Sequence, residues 1–371
     1  MPEFSDEDQR WMRQALLLAE QGRGYVEPNP LVGCVLVKDH RLIGAGYHQR
    51  FGGHHAEREA LLDAGTNDTT GATAYVTLEP CCHFGKTPPC TDALIAAKVG
   101  RVVVATPDPH TFVDGGGLSQ LRLAGIEVQV GLLASQAEQL NAPYFKRLAS
   151  GNPWVIGKWA MSLDGRIATR TGHSQWISCE ASRQWVHKLR GRMDAIVVGS
   201  GTALADNPQL TARPAGPRTA LRVVIDSMLR LPLESQLVRT AKEFPLLLIA
   251  GPHADRKSAH ELEVRGVQVW MSKIEDRQAR LLEMLAKLAR DYCATNILVE
   301  GGGQLLGSLY DLRQIDQCEV FLCPKLIGGQ AALSPVGGLG SLQVHDGPDV
   351  NLLDSTIHEQ DFHASYRLTW G

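Results

Sequence analysis

A chain of 371 residues exceeds what one hydrophobic core usually organises, so two domains are expected. With 44% hydrophobic and 21% charged residues, the composition excludes a disordered chain. A formal charge of −3 lacks the basic excess of a nucleic-acid binder, and the apolar runs fall short of the roughly 18 residues that span a bilayer, so neither partner is expected.

Apolar residues at helical spacing (Trp11, Ala15, Leu16, Leu18, Ala19) predict a helix over Asp6–Glu20. Pro28-Asn29-Pro30 then breaks the chain before strands at 32–37 and 42–46. A helix over 55–64, a strand over 72–78, a helix over 91–99 and a strand over 101–105 follow. A helix at 118–124, a strand at 126–130 and a helix at 134–147 continue the alternation. The small, polar run 149–153 marks a junction, which gives domains at 1–148 and 152–371. Beyond it, strands at 154–161, 195–198, 221–225, 245–250, 267–271, 297–299 and 319–322 predict a second α/β sheet, with helices at 182–190 and 277–291. Scattered cysteines, and no leader pattern at Met1-Pro2-Glu3-Phe4, point to a reduced cytoplasmic protein.

His55-Ala56-Glu57 opens one predicted helix, Glu79-Pro80-Cys81 ends a strand, and Cys90 starts the next helix. One imidazole and two thiols form the ligand set of a catalytic zinc whose fourth position is left for water. Glu57 is kept from ligation, because hydrolytic deamination needs a carboxylate to move the water proton to the ring nitrogen and the departing ammonia. The general zinc-deaminase signature, Pro-Cys-x-x-Cys, would put its second cysteine at Phe84. Cys90 is taken instead, since 85–89 can return the chain to the metal while Cys82, adjacent to Cys81, points elsewhere. The His-x-Glu spacing selects His55 over its neighbour His54.

A strand at 297–300, the glycines Gly301-Gly302-Gly303 and a helix from Gln304 suit a phosphate group, which backbone amides can approach closely there. Neither these glycines nor Gly199-Ser200-Gly201 complete G-x-G-x-x-G, so a Rossmann site is not expected.

Pro28-Asn29-Pro30, Gly46-Tyr47-His48, His55-Ala56-Glu57 and the run Thr77-Leu78-Glu79-Pro80-Cys81 through Cys90 resemble the deaminase half of the bifunctional deaminase/reductase family of riboflavin biosynthesis. The Cys-x8-Cys spacing is that family's own. Lys158-Trp159-Ala160-Met161-Ser162-Leu163-Asp164-Gly165, Asp206-Asn207-Pro208 and Val299-Glu300-Gly301-Gly302-Gly303 are similar to its reductase half. The resemblance implies an N-terminal cytidine-deaminase-like α/β/α domain and a C-terminal dihydrofolate-reductase-like α/β domain. It implies one zinc per chain, NADPH, and the substrate 2,5-diamino-6-ribosylamino-4(3H)-pyrimidinone 5′-phosphate.

By the same resemblance, Asn29, His48, His83 and Lys86 surround the pyrimidine substrate. Ala160, Trp176, Thr202, Asp206, Ser227 and the run Gly302, Gly303, Gln304, Leu305, Leu306, Gly307 and Ser308 line the NADPH site. Ser174, Arg190, Leu210, Arg213 and Glu300 meet the phosphoribosyl substrate, and a homo-oligomer, a dimer in particular, is expected. The family's Asp-Pro-Asn-Pro stands here as Asp108-Pro109-His110-Thr111, which puts substrate contacts from that loop in question. Two other readings stay open at this point: a stand-alone nucleobase or nucleoside deaminase whose second domain only binds nucleotide, and a structural zinc protein.

Overall fold

Ser5 starts α1 (Asp6–Glu20) with a capping box, its hydroxyl accepting the Asp8 N–H while the Asp8 carboxylate accepts the Ser5 N–H. The computed structural model describes residues 4–84, 88–110 and 115–371, and it divides into units at 1–150 and 151–371.

After α1, the first unit runs β1 (Gly33–Lys38), β2 (Arg41–Tyr47), α2 (Ala56–Ala64), β3 (Thr73–Val76), α3 (Cys90–Ala96) and β4 (Arg101–Val104). It ends with α4 (Gly116–Leu123), β5 (Glu127–Val130), α5 (Ala134–Leu140) and α6 (Ala142–Ser150). The sheet order is β2-β1-β3-β4-β5; β1 lies antiparallel to β2 and β3, and β3, β4 and β5 are parallel. Successive residues face opposite layers. Cys34, Leu36, Ala74, Val76, Val102 and Val104 pack with α2, α3 and α4, while Val35, Val37, Tyr75 and Val103 pack with α1 and α5. This is the expected α/β/α arrangement. A Cβ on Gly46 would fall 2.4 Å from the Ala60 nitrogen, so α2 lies hard against β2. The predicted helix 134–147 is two helices. Asn141 separates them and uses its side chain on both backbone groups of Leu31, at 2.8 and 2.9 Å.

The second unit contains β6 (Trp154–Ser162), α7 (Glu180–Arg190), β7 (Ala195–Gly199), α8 (Ser200–Asp206), β8 (Leu221–Ile225), α9 (Gln236–Arg239) and β9 (Leu246–Ala250). Then come α10 (Arg256–Val264), β10 (Gln268–Met271), α11 (Arg277–Asp291), β11 (Asn296–Glu300), α12 (Gly303–Asp311) and β12 (Gln317–Cys323), followed by the hairpin β13 (Asp349–His358) and β14 (Asp361–Thr369). The nine strands order as β10-β9-β8-β7-β11-β6-β12-β14-β13. All run in one direction except β14, which is antiparallel to both of its neighbours, β12 and β13.

Leu281, Met284, Leu285 and Leu288 of α11 and Leu305, Leu306 and Leu309 of α12 cover one face; α7 covers the other through Val186, against Phe321 and Cys323. Asp361, on the last strand, accepts the Cys179 N–H at 2.7 Å and the Ser182 hydroxyl at 2.6 Å, holding the start of α7. The chain leaves β7 toward β8 but leaves β11 toward β12, which opens a crevice at their carboxyl ends. Sequence reasoning missed α8, α9, α10 and the terminal hairpin. Among the described residues no helix is long and apolar enough to cross a membrane.

Candidate active sites

In the first unit, His55 sits at the N-cap of α2, Cys81 on the segment leaving β3, and Cys90 at the first position of α3. These three places converge. His55 Nδ1 lies 3.4 Å from the Sγ atoms of both Cys81 and Cys90, and all three ligand atoms fall within 4.8 Å of one another. The Cys90 N–H points at Cys81 Sγ, 3.4 Å away, as the start of a helix favours for a thiolate. Through the hydrogen bond from Cys90, the Cys81 thiol is pulled down to about 4, while its partner Cys90 is pushed up, by that same pairing and by burial. One imidazole and two thiols at this spacing fit zinc. Cys82 and His54 stay outside the group; His54 pairs instead with Glu59 at 3.3 Å.

Glu57 is 2% exposed in the first turn of α2, and burial, followed by the charge of Cys81, pushes its carboxyl up. A carboxyl poised above its usual range can both take and return a proton. His48 is buried edge-on to His55, with ring centroids 5.4 Å apart. Its Nδ1 donates to the His54 carbonyl at 2.8 Å, which leaves Nε2 to accept from the Asn29 amide at 3.1 Å. Burial lowers the His48 imidazole, so this pair presents a neutral polar wall. His83 is exposed on the segment after Cys81, while Lys86 and Thr111 lie outside the described residues.

In the second unit, Arg190 at the end of α7 makes a two-pronged ion pair with Glu300 at the end of β11, at 2.6 and 2.8 Å. Burial opposes the charge on Glu300, but Arg190 outweighs it and holds the carboxyl below its usual range. Arg213 comes close without an acidic partner among the described residues: it donates to Gln209 Oε1 and Thr211 Oγ1 and faces His187 Nε2 at 3.4 Å. Burial and the like charge of Arg190 lower it, so an anion between the two guanidinium groups would relieve both effects. Leu210 is buried between them in sequence at a φ of 55°, and Ser174 is half-buried.

Ala160, Thr202, Ser227 and Glu300 stand at the carboxyl ends of β6, β7, β8 and β11 or just beyond. Gly301 and Gly302 adopt φ of 72° and 74°, and a Cβ on Gly302 would lie 3.0 Å from Thr202 Oγ1. That close approach builds a cradle at the start of α12. Gly303 and Gly307 serve packing instead, since Cβ atoms there would meet Ser334 and Gly337 backbone at 2.4 and 2.2 Å. Leu305 and Leu306 have core side chains, so they can offer a cofactor only backbone; Gln304 and Ser308 are exposed or half-buried on the same helix. Trp176 is 62% exposed with Arg183 over its ring, and Asp206 is exposed at the end of α8.

Sequence reasoning gave no role to Lys158, which burial lowers and which faces Glu300 and Arg190. Nor did it single out Asp108, buried with its carboxylate on the Tyr144 hydroxyl at 3.2 and 3.3 Å. A lysine inside an apolar strand was the available signal for the first.

The cytidine and deoxycytidylate deaminase zinc-binding region matches residues 5–106, and the RibD C-terminal domain matches 153–363. The riboflavin biosynthesis protein RibD of Actinobacillus pleuropneumoniae is 41% identical over 97% of this chain and 95% of its own length. That of Escherichia coli is 40% identical over 93% of this chain and 98% of its own. Acinetobacter baumannii RibD superposes with a TM-score of 0.84 at 36% identity, covering 98% of this chain and 99% of that one. A Thermotoga maritima diaminohydroxyphosphoribosylaminopyrimidine deaminase/5-amino-6-(5-phosphoribosylamino)uracil reductase does so with 0.84 at 33% identity and the same coverage. With a zinc-binding deaminase region ahead of a reductase domain and these relatives along nearly its whole length, the chain belongs to the RibD family of riboflavin biosynthesis, bifunctional enzymes that join a zinc-dependent deaminase to an NADPH-dependent reductase.

Proposed function

We propose that the first unit hydrolyses the exocyclic amine of 2,5-diamino-6-ribosylamino-4(3H)-pyrimidinone 5′-phosphate to a carbonyl, releasing ammonia. The second unit then reduces the ribosyl chain to ribityl. The observation that carries this reading is the convergence of His55, Cys81 and Cys90 beside the buried carboxylate of Glu57. One zinc ion held by those three residues would supply a polarised water as nucleophile. Glu57 takes the proton of that water and delivers it to the ring nitrogen and then to the departing amine. Asn29 and His48 hold the polar edge of the ring, with His83 and Lys86 on the following segment.

In the second unit, Arg190 and Arg213 receive the substrate phosphate, flanked by Ser174, Leu210 and Glu300. Gly302 and Thr202 offer the cradle for the NADPH phosphates, and Ala160 and Trp176 line the same site. Asp206 and Ser227 complete that lining with the α12 turn. NADPH bound there would supply the hydride that reduces C1′ of the ring-opened imine, with a proton on nitrogen completing the amine.

A homodimer is supported by the open edge of β13, where Val350, Leu352 and Ile357 are exposed; light scattering tests it. The cytoplasm is supported by eight cysteines of which none is in a disulfide. Mass spectrometry of products from the diaminopyrimidine decides the main reading. Amine-to-carbonyl exchange should occur without NADPH, and a gain of two hydrogens should follow only with it. Exchange without any later reduction would favour a deaminase whose second unit only binds nucleotide.

A further inference from the structure

The run from β3 to the metal group contains one acidic residue to which the chemistry above gives no task. Glu79 is 4% exposed, lies two residues before Cys81 and is not among the converging ligands. Its own N–H donates to the Thr106 carbonyl at 3.1 Å, beyond the end of β4. Its carboxylate accepts four backbone amides. Oε1 takes Gly117 at 3.0 Å and Leu118 at 3.2 Å, and Oε2 takes Gly115 at 3.3 Å and Asp108 at 3.4 Å.

Among the described residues no basic side chain pairs with Glu79, so these amides and the start of α4 are what compensate its burial. Four donors facing one side chain select a group that only accepts; the amide of glutamine would turn an N–H toward them. We propose that Glu79 is a positioning residue for deamination, a latch that fixes Asp108 and the start of α4 against the strand end that supplies Cys81.

Three further features place the latch at the reaction rather than in the general core. Asp108 is itself buried, its carboxylate held by the Tyr144 hydroxyl and the His110 N–H at 2.9 Å. A Cβ on Gly117 would fall 2.1 Å from the Pro80 carbonyl, so α4 presses directly on the residue between Glu79 and Cys81. On its other side α4 meets α3, where Gln120 accepts from Thr91 at 2.8 Å and donates to Asp92 at 2.9 Å, beside Cys90. The latch therefore sets the wall that a ring must meet once the metal group has been assembled, and its loss should appear in substrate binding before it appears in metal binding.

This inference rests on the deaminase reading above, and the tests separate the two. Glu79→Gln removes the latch chemically, and Gly117→Ala wedges it open from the other side. Each should raise KM for the diaminopyrimidine about 10-fold, with kcat within a few-fold, zinc content at the wild-type level and NADPH-dependent reduction unchanged. Amide hydrogen exchange at 115–118 should quicken in both, and Glu79→Asp, which keeps the charge, should recover most of the KM. An unchanged KM despite quickened exchange would overturn the proposal. So would loss of zinc or of the folded unit in both substitutions, which would make Glu79 a support of the metal strand. Failure of the wild-type protein to release ammonia from the pyrimidine would instead remove the deaminase reading itself.

Discussion

In the deamination proposed above, Glu57 moves the proton and Cys90 holds the metal. Glu57→Gln preserves shape but cannot shuttle a proton, so zinc should remain while deamination falls by about 10²–10⁴-fold. A rate within a few-fold of wild type, measured by ammonia release, would remove Glu57 from the mechanism. Cys90→Ser should leave the protein with substoichiometric zinc and little deamination, since one of only three protein ligands is lost. Full metal content by elemental analysis would move the third ligand elsewhere. His55 and Glu57 were readable as neighbours because one caps a helix and the other lies in its first turn, where spacing alone fixes geometry. The Arg190–Glu300 pair joins residues 110 positions apart and has no local pattern, so only resemblance could suggest it.

Elements with a buried face were legible and those without one were not. α1 shows its apolar stripe in Trp11, Met12 and Ala15, and the core strands read as apolar runs because both of their faces are covered. β13 is exposed along nearly its whole length, so its side chains carry no period of burial, and its partner β14 went unread with it. The break at Asn141 was invisible for a different reason, as its partner Leu31 lies far back in the chain. Asn141→Ala should cost about 2 kcal/mol by orphaning both buried backbone groups of Leu31, as urea melts would show.

α1 itself is pinned by Asp8, which accepts from the Tyr75 hydroxyl and from Arg101, both at 2.7 Å. Burial opposes that charge, but Arg101, Tyr75 and Ser5 hold the carboxyl well below its usual range. Because the folded value is depressed, the stabilisation is complete above the unfolded value of about 4 and is lost as pH falls through the folded one. The stability gap between wild type and Asp8→Asn should therefore be largest at neutral pH and narrow in acid. A gap constant with pH would assign the role of Asp8 to packing.

Across the whole molecule, the metal group lies in one unit and the arginine pair and glycine cradle in the other, so the two activities should fail separately. Glu57→Gln should abolish turnover of the diamino substrate yet reduce supplied deaminated intermediate normally. Arg213→Ala should deaminate at the wild-type rate and accumulate the unreduced ribosylamino product, seen by chromatography. Loss of both activities in either variant would defeat the two-site account.

The position of β6 bears on how such a chain is made. Its hydrogen-bonded neighbours are β11 and β12, which the ribosome delivers only after α7, β7 to β10 and α11 have emerged. The deaminase unit closes its sheet from a contiguous stretch and can fold during synthesis, whereas the reductase unit carries an unpaired apolar strand until β11 and β12 emerge. Asp361, which holds the start of α7, arrives later still. Premature termination between residue 150 and the end of β11 would thus release a chain with a complete first unit and an open, sticky second one, a natural client for chaperones and proteases.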